Sequence, residues 1–453
     1  MGPRSPGRIN GPVRSGNELS QTDALGTRPV GPLLWQACSQ TTVSVSVYGV
    51  YALTNAWFVG HGVGPGAMAA VNLAAPVLLV LGAVSGTVGT GGASLVSRRL
   101  GAGDPAGAAR AAGNALVLFW LTASVITVAG LLGLDPLVGA LGADAATRDD
   151  TRAYAMVLLA GALLTTGFTA VVRAEGRIRF ATWQWVIGVV IQVTLDPLLI
   201  FGLHLGVRGA ALGTIAGTAA SAGMSLWFFF VQRDRPYRIR RADLRPHAPT
   251  VRALLGVGAP SLLAGLGTTL LAVLVNNLLG GVAGAVALAA YAVCVRLQTF
   301  VFMPQLGISQ GLQPIVGFNA GRGQPARVRR ARVLALRASL TYGTVAALVL
   351  IVVAGPLIRI FVDDPVITPV AVRALRIVAL GVAVAGVAPL VSAYFQSLGR
   401  TRPSYLISVG SLLLIKVPLL LALSHTGTTG IWLSLALGEL VTATAALLLL
   451  RLS

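Results

Sequence analysis

The sequence predicts an all-α polytopic membrane protein, with twelve transmembrane helices in two six-helix bundles that form a parallel repeat. Three observations predict this fold: apolar runs long enough to cross a bilayer, a one-sided distribution of basic residues, and an internal repeat. The 453 residues are 55% hydrophobic and only 11% charged, with a mean hydropathy of +0.80. A soluble protein of this length needs far more charge to solvate its surface.

Apolar segments recur from Leu33 to the C-terminus. A helix needs about 20 predominantly apolar residues to cross about 30 Å of hydrocarbon. The alternating ten-residue runs typical of a membrane β-barrel are absent from the sequence. The twelve predicted helices cover approximately 33–59, 67–96, 110–133, 153–173, 181–203, 208–231, 253–280, 284–315, 333–358, 370–395, 404–424 and 428–450.

The basic residues fall mostly on one side of the predicted membrane. With a cytoplasmic N-terminus and twelve crossings, 26 of the 34 Lys and Arg residues are cytoplasmic, six are outside, and two (Arg296 and Lys416) lie inside helices. Cytoplasmic loops carry this excess, so we expect an inner (plasma) membrane protein with both termini in the cytoplasm. Topology and contact with anionic lipid therefore explain the net charge of +20 better than nucleic acid does.

The chain repeats itself at an offset of about 220 residues. The stretch GGASLVSRRLGAGDPAGAARA, which begins at Gly91, matches GLQPIVGFNAGRGQPARVRRA, which begins at Gly311. The tripeptides EGR and LGR, which end at Arg177 and Arg400, match at an offset of 223. DPLLI from Asp196 matches VPLLL further on, at an offset of 221. Several matches in order at nearly one offset indicate a duplication.

Each repeat holds six predicted helices, and an even number returns the chain to its starting side. The halves therefore lie parallel, related by an axis along the membrane normal, with a cleft between them. Rocking about a central cleft is how duplicated carriers work, which favours transport over a scaffold without a transport role. The predicted domains are a disordered cytoplasmic tail, an N-terminal bundle, a basic cytoplasmic linker and a C-terminal bundle, at 1–32, 33–231, 232–252 and 253–453.

Four segments carry a family resemblance: ALTNAWFVGHGVGPGAMAAVNLAAP (52–76), GASLVSRRLGAGD (92–104), LDPLLIFGLHLGVRGAALGT (195–214) and MPQLGISQGLQPIVGFNAGRG (303–323). They resemble the multidrug and toxic compound extrusion (MATE) family, in particular its bacterial branch of DNA-damage-inducible F proteins. The resemblance implies a secondary-active antiporter that exports small amphiphilic or drug-like molecules by alternating access. It also implies that an inward flow of protons or sodium ions drives this export.

Two of the 14 acidic residues, Asp196 and Glu439, lie well inside a predicted helix. A charge within the bilayer costs several kcal/mol unless it is paired, so each is a functional candidate by default. Asp196 lies eight residues before His204, ~12 Å below the outer end of its helix. Thr214 and Asn55 fall ~10 Å and ~9 Å below the same surface. These three polar groups therefore share one depth.

The resemblance implies that Asn55, Gln192, Asp196 and Thr214 occupy the positions of a cation or proton site in the N-terminal bundle. In the family, the positions of Asn55 and Asp196 are commonly both aspartate, and that of Gln192 is commonly asparagine. This sequence has one carboxylate instead of two, which leaves both proton and sodium coupling open. The alternative role of Asp196 is that of a structural hydrogen-bond acceptor for neighbouring helices.

Further polar residues fall within the predicted helices. Lys416, the only lysine, and Glu439 lie in the outer halves of adjacent helices, where a structural ion pair is favoured over substrate or proton handling. Arg296, near mid-depth, is either a partner for buried polar backbone or a cleft residue. The other candidates for the cleft or for interhelical hydrogen bonds are Asn276, Asn277, Gln305 and Gln313.

The sequence shows no cofactor or metal motif. GxxxxGK[ST] is absent, and the four histidines lack the spacing of a metal site. We expect a monomer that is not an enzyme, with a small-molecule substrate, the lipid bilayer and a coupling ion (H⁺ or Na⁺) as its partners. Two alternatives stay open. A flippase for a lipid-linked precursor needs a cleft rich in Arg and Lys, and an integral-membrane enzyme needs clustered His, Asp or Glu.

The predicted topology is testable by cysteine labelling of intact cells. A cysteine at position 146, in the predicted outer loop, should react with a membrane-impermeant maleimide, and a cysteine at position 242 should not. The reason is the 26-to-6 asymmetry of basic residues. The reverse labelling pattern would invert the topology.

Overall fold

The computed structural model describes residues 21–165, 168–362 and 364–452. Within these ranges, several side chains between positions 48 and 65 and the side chain at 283 are not described. The described chain forms helices, turns and loops, without a β-strand.

Thirteen principal helices, numbered α1 to α13, carry the described fold. They are α1 (Gln21–Thr27), α2 (Val30–Gly62), α3 (Pro65–Gly101), α4 (Pro105–Leu132), α5 (Arg148–Ala174), α6 (Ile178–Gly202), α7 (Gly206–Val231), α8 (Ala248–Val282), α9 (Gly284–Gly321), α10 (Pro325–Val352), α11 (Ile367–Leu398), α12 (Thr401–Ser424) and α13 (Thr428–Leu452). Positions 166 and 167 interrupt the description of α5.

The predicted fold class is confirmed. The eleven helices from α3 to α13 are long and apolar enough to cross a membrane. Helix α2, with 33 residues, precedes them and completes the predicted twelve. The first six crossings, α2–α7, form the N-terminal lobe, and α8–α13 form the C-terminal lobe.

Each lobe has an apolar core of its own. In the N-terminal lobe, Tyr154, Leu158 and Leu159 of α5 are almost completely buried in one such core. In the C-terminal lobe, Leu279 and Trp432 belong to another. Part of each lobe therefore packs independently of the other. A further core spans both lobes and joins Leu34 of α2 to Leu312 of α9, so movement of the lobes has to break that core.

The two lobes meet through reciprocal backbone contacts. A Cβ atom on Gly101 of α3 would overlap the carbonyl oxygen of Phe318 on α9. A Cβ on Gly321 of α9 would overlap the carbonyl oxygen of Arg98 on α3. Residues 101 and 321, like residues 98 and 318, differ by the repeat offset of 220. Such an exchange of contacts is what a two-fold axis between the repeats produces. The lobes are thus closed at the predicted cytoplasmic end.

The N-terminal tail is ordered further than the sequence predicts. Residues 1–32 are expected to be disordered, but Gln21–Thr27 form α1, and α2 begins at Val30. The hydroxyl of Thr22 donates a 2.7 Å hydrogen bond to the carbonyl oxygen of Glu175 in the N-terminal lobe. The side-chain amide of Asn319, in the C-terminal lobe, donates to the carbonyl oxygen of Leu25 at 2.9 Å. The prediction is therefore wrong from Gln21 onward, and residues 1–20 lie outside the described residues.

A buried ion pair holds the linker between the lobes. Arg235 contacts Glu175 at 2.5 Å, with both side chains almost fully buried. The hydroxyl of Tyr237 donates to the same carboxylate at 2.5 Å. Burial raises the pKa of Tyr237 well above its usual value, so this hydroxyl keeps its proton. The guanidinium of Arg235 also stacks 4.6–4.7 Å from the ring centres of Phe228, Phe229 and Tyr237.

A second anchor of the linker is Asn114 on α4. Its side-chain amide donates to the carbonyl oxygens of Asp243 and Arg245, and its oxygen accepts from the backbone N–H of His247. Both anchors belong to the N-terminal lobe. Most of the basic linker is thus fastened to that lobe.

The close contact between Gly101 and the carbonyl oxygen of Phe318 predicts the effect of a larger residue at position 101. Gly101→Val should separate α3 from α9, because its side chain has no room beside the Phe318 carbonyl. A cysteine at Ser97, only 1% exposed in this structure, should then react several times faster with a maleimide applied to inverted vesicles.

Gly86→Val is the matched control, since a Cβ at Gly86 on the same helix meets no atom within 4 Å. Unchanged labelling at Ser97→Cys in a folded Gly101→Val variant would contradict the closed contact.

Candidate functional site

The acidic residue in α6 lies where the helix is irregular. Asp196 directly precedes Pro197, and a π-helical turn follows at Leu198–Gly202. Proline has no N–H to donate, and π-helical turns occur frequently at functional sites. Within the bilayer, irregular backbone of this kind is tolerated where it is buried in protein or lines a cavity.

All four predicted residues of the cation or proton site come together in the N-terminal lobe. Asn55 Nδ2 donates to Asp196 Oδ2 at 3.3 Å, which links α2 to α6. Gln192, one turn before Asp196, donates from Nε2 to Thr214 Oγ1 at 2.9 Å, which links α6 to α7. All four side chains are at least 93% buried, and Asp196 is 0% exposed.

The second oxygen of the Asp196 carboxylate has no hydrogen-bond partner among the described residues. It lies against Gly213 of α7, where a Cβ would overlap Oδ1. Gly209 and Gly217, one turn to either side, lie close to the backbone of Leu199 and Gly188 on α6. The glycines therefore let α7 approach α6, and Gly213 also leaves space for the carboxylate. A buried acceptor without a partner is costly, and it is suited to bind a proton or a cation.

The predicted ion pair in the C-terminal lobe forms. Lys416 Nζ lies 2.5 Å from Glu439 Oε1, and these side chains are 22% and 29% exposed. The pair links α12 to α13. Each charge is neutralised by the other, which favours the structural role over substrate handling.

Arg296 is exposed on α9, so it is not a buried partner for backbone. It lies one turn before Phe300, on the same helix face. Phe300 and Met303 pack beside Gly49 of α2, in the opposite lobe. Arg296 therefore projects from the face of α9 that looks toward the N-terminal lobe, as a cleft residue would.

The remaining cleft candidates occupy three different environments. Asn276 and Asn277 are exposed on α8. Gln305 is buried within the C-terminal lobe, where it donates to the carbonyl oxygen of Val382 at 3.3 Å and links α9 to α11. Gln313 lines a cavity between the two lobes.

Sequence reasoning missed two buried charges, Arg173 and Glu175. Arg173 lies in the last turn of α5 and Glu175 directly follows that helix. The predicted helix reaches the cytoplasm at this point, so the sequence places both charges in water. The repeat could have indicated them, because the EGR match begins at Glu175. Among the described residues, no cluster of three or more His, Cys, Asp or Glu could hold a metal ion.

Comparisons with known proteins agree with this architecture. A family model described as MatE matches residues 41–198 and 260–421. A "Multidrug export protein MepA" of Staphylococcus haemolyticus is 26% identical over 408 residues, which cover 88% of each chain. A "FAD transporter" of Shewanella oneidensis is 24% identical over 432 residues, covering 93% of this chain and 95% of that protein. The structure titled "Outward-facing conformation of a multidrug resistance MATE family transporter of the MOP superfamily" aligns with a TM-score of 0.90 at 25% identity. That alignment covers 96% of this chain and 98% of the other.

The ion pair predicts an asymmetry between single and double variants. Lys416→Met should lower the yield of folded protein, because it leaves the Glu439 charge unpaired at a cost of up to about 3–5 kcal/mol. The double variant Lys416→Met/Glu439→Gln should recover part of that loss. Monodisperse yield after detergent extraction measures the effect.

The exposed pair Arg152–Asp135, whose side chains are 46% and 58% exposed, is the control. Breaking it should cost about 1 kcal/mol or less. A double variant as poor as Lys416→Met would show that the two charges do not depend on each other.

Proposed function

The chain belongs to the MatE family and is therefore a membrane transporter rather than an enzyme, and we propose that it is a proton-coupled antiporter that exports small amphiphilic or drug-like molecules. The family match spans both halves of the chain. Several relatives are named as multidrug export proteins. The antiport mechanism and the coupling ion are our proposal.

The observation that carries the proposal is the isolated carboxylate of Asp196. It is completely buried in α6, accepts a hydrogen bond from Asn55, and keeps Oδ1 unpartnered among the described residues. No basic side chain forms an ion pair with it in the part of the chain that the structure describes. Such a group is more stable protonated than charged unless a cation accompanies it.

A proton suits this site better than a sodium ion. Asn55 presents its amide nitrogen to the carboxylate, so it adds a donor where a second family aspartate would add an anionic ligand. Gln192 and Thr214 are hydrogen-bonded to each other. Hard cations prefer several oxygen ligands, with carboxylates and carbonyls together. A single carboxylate beside amide donors favours exchange of a proton.

One proton supplies enough energy for export. Movement of one charge through ~100 mV is worth ~2.3 kcal/mol. At ~1.4 kcal/mol per tenfold, this supports a roughly 40-fold gradient of a neutral substrate. A single exchangeable carboxylate is therefore sufficient to export a substrate against its concentration gradient.

Alternating access is supported by the parallel repeat. In this structure the lobes touch at the predicted cytoplasmic end through Gly101 and Gly321. We propose that this contact opens in the inward-facing state, while each lobe keeps its own core. Protonation of Asp196 would shift the balance between the two states by relieving its buried charge.

The flippase alternative receives less support. Lys416, one of its two candidate basic groups, is paired with Glu439 and is not free to bind a pyrophosphate. We further propose a monomer in the plasma membrane, with both termini in the cytoplasm and lipid as its surroundings.

Coupling is testable in reconstituted vesicles. Asp196→Asn should abolish efflux of rhodamine 123 driven by a pH gradient, because an amide cannot exchange the proton. The folded yield should stay close to that of the wild type, since an amide fits the same volume. Asp135→Asn, an equivalent change at an exposed residue of the short helix Leu134–Ala140, should leave efflux intact.

Asn55→Asp tests whether a second carboxylate changes the coupling ion from a proton to sodium. A second carboxylate should add a dependence on sodium, measured as efflux under a sodium gradient without a pH gradient. Full proton-driven transport by Asp196→Asn would refute the assignment and direct attention to Glu439.

A further inference from the structure

A small cavity lies between the two lobes, on the membrane side of the closed contact. It is narrow in this structure, with room for about one water molecule. The lining comes from α3 and α5 of one lobe and from α9 and α11 of the other. Ser94, on its wall, lies seven residues before Gly101, or ~10 Å further into the membrane along α3.

The two-fold axis of the repeat passes through this cavity. Positions 90, 93 and 94 on its wall correspond, at the offset of 220, to positions 310, 313 and 314 on the opposite wall. Positions 173 and 174 correspond to 396 and 397 at the offset of 223 that relates EGR to LGR. The cavity is therefore built from equivalent residues of both repeats.

The repeats differ at the position that matters most for charge. Arg173 stands in the N-terminal repeat where Gln396 stands in the C-terminal one. Arg173 is 93% buried and lines the cavity, and no acidic partner or hydrogen bond of its guanidinium is found among the described residues. An unpaired buried cation is costly, so an anion that reaches Arg173 would be stabilised there.

The neighbouring donors suit an oxyanion. Gln310 and Gln313 are half-buried and line the cavity, and neither side-chain amide has a described hydrogen bond. Gln396 is engaged elsewhere, since it donates to Ser261 Oγ at 2.9 Å. The planar guanidinium fork of arginine matches carboxylate and phosphate groups bidentately, and amide donors complete their hydrogen bonding.

We propose that Arg173, with Gln310 and Gln313, binds a carboxylate or phosphate group carried by the transported molecule. In the closed state the cavity is too small for a carboxylate or phosphate group, so the anion can reach Arg173 only when the lobes separate. Opening of the Gly101 contact would expose Arg173 to the predicted cytoplasmic side and let the substrate enter with its anionic group first. The assignment of a substrate rests on the proposed transport function, whereas the anion site itself does not.

Two xanthene dyes of similar shape and opposite charge provide the test. Carboxyfluorescein carries carboxylates, and rhodamine 123 is a cation. Fluorescence anisotropy measures the binding of each to the purified full-length protein in detergent. Arg173→Gln should weaken carboxyfluorescein binding about 10- to 100-fold, about 1.4–2.8 kcal/mol, the range expected for lost charge-assisted hydrogen bonds. Rhodamine 123 binding should not weaken.

Matched variants separate recognition from folding. Arg110→Gln removes an exposed arginine of α4 and should change nothing. Arg173→Lys keeps the charge without the fork and should bind carboxyfluorescein with intermediate affinity. The exchange Arg173→Gln/Gln396→Arg moves the cation across the axis and should restore part of the affinity. If neither Arg173→Lys nor Arg173→Gln/Gln396→Arg binds carboxyfluorescein better than Arg173→Gln does, Arg173 has a structural role and the proposal is overturned.

Two further measurements identify the source of the anion. Inorganic phosphate should compete with carboxyfluorescein, because both present an oxyanion. In vesicles, wild-type protein should export carboxyfluorescein, and Arg173→Gln should lose this export while still exporting rhodamine 123. Equal carboxyfluorescein binding by wild type and Arg173→Gln would overturn the site. If the wild type binds carboxyfluorescein but does not export it, the role of the site in substrate recognition is overturned. If the wild type shows no efflux of rhodamine 123, the result counts against the antiporter proposal instead.

Discussion

The close approach of two backbones, Gly101 to Phe318 and Gly321 to Arg98, is the constraint on which the rest of the structure depends. Only glycine allows a helix to meet a neighbouring carbonyl at this distance, and the exchange of contacts fixes a two-fold axis between the lobes. The contacts related by this axis close the predicted cytoplasmic end, and a cavity lies just inside them. Separation of the lobes at this end therefore has to break these glycine contacts.

Two ion pairs neutralise charges that lie away from bulk solvent, which makes the unpaired groups informative. Lys416 pairs with Glu439, and Arg235 pairs with Glu175. Asp196, by contrast, keeps one oxygen unpartnered among the described residues, beside Gly213. Because an unpaired group within a membrane protein is costly, its persistence is best explained by a ligand that comes and goes, and for Asp196 we propose a proton.

The linker and the N-terminal helix hold the two lobes in different ways. Glu175 and Asn114 fasten the linker to the N-terminal lobe alone. Helix α1 bridges both lobes through Thr22 and Leu25. Movement of the lobes can therefore leave the linker anchors intact. The same movement has to break the hydrogen bonds of α1 to one lobe, or α1 has to shift so that both sets of bonds survive. The buried Glu175 anchor also gives the basic linker a fixed path rather than that of a loose tether.

The sequence by itself determined the crossings and the duplication, and it singled out the residues for which we propose a proton site. Bilayer thickness fixes the length of each helix, a repeat offset survives in the order of residues, and a carboxylate in an apolar run is visible without coordinates. It also paired Lys416 with Glu439 by depth. Only the tertiary structure decided which charges have an ion-pair partner among the described residues. Arg173 and Glu175 are two residues apart at one helix end, yet one enters an inter-lobe cavity and the other meets Arg235 from a segment 60 residues away. Solvation of a charge depends on the neighbours that packing brings to it, and those neighbours come from distant parts of the chain.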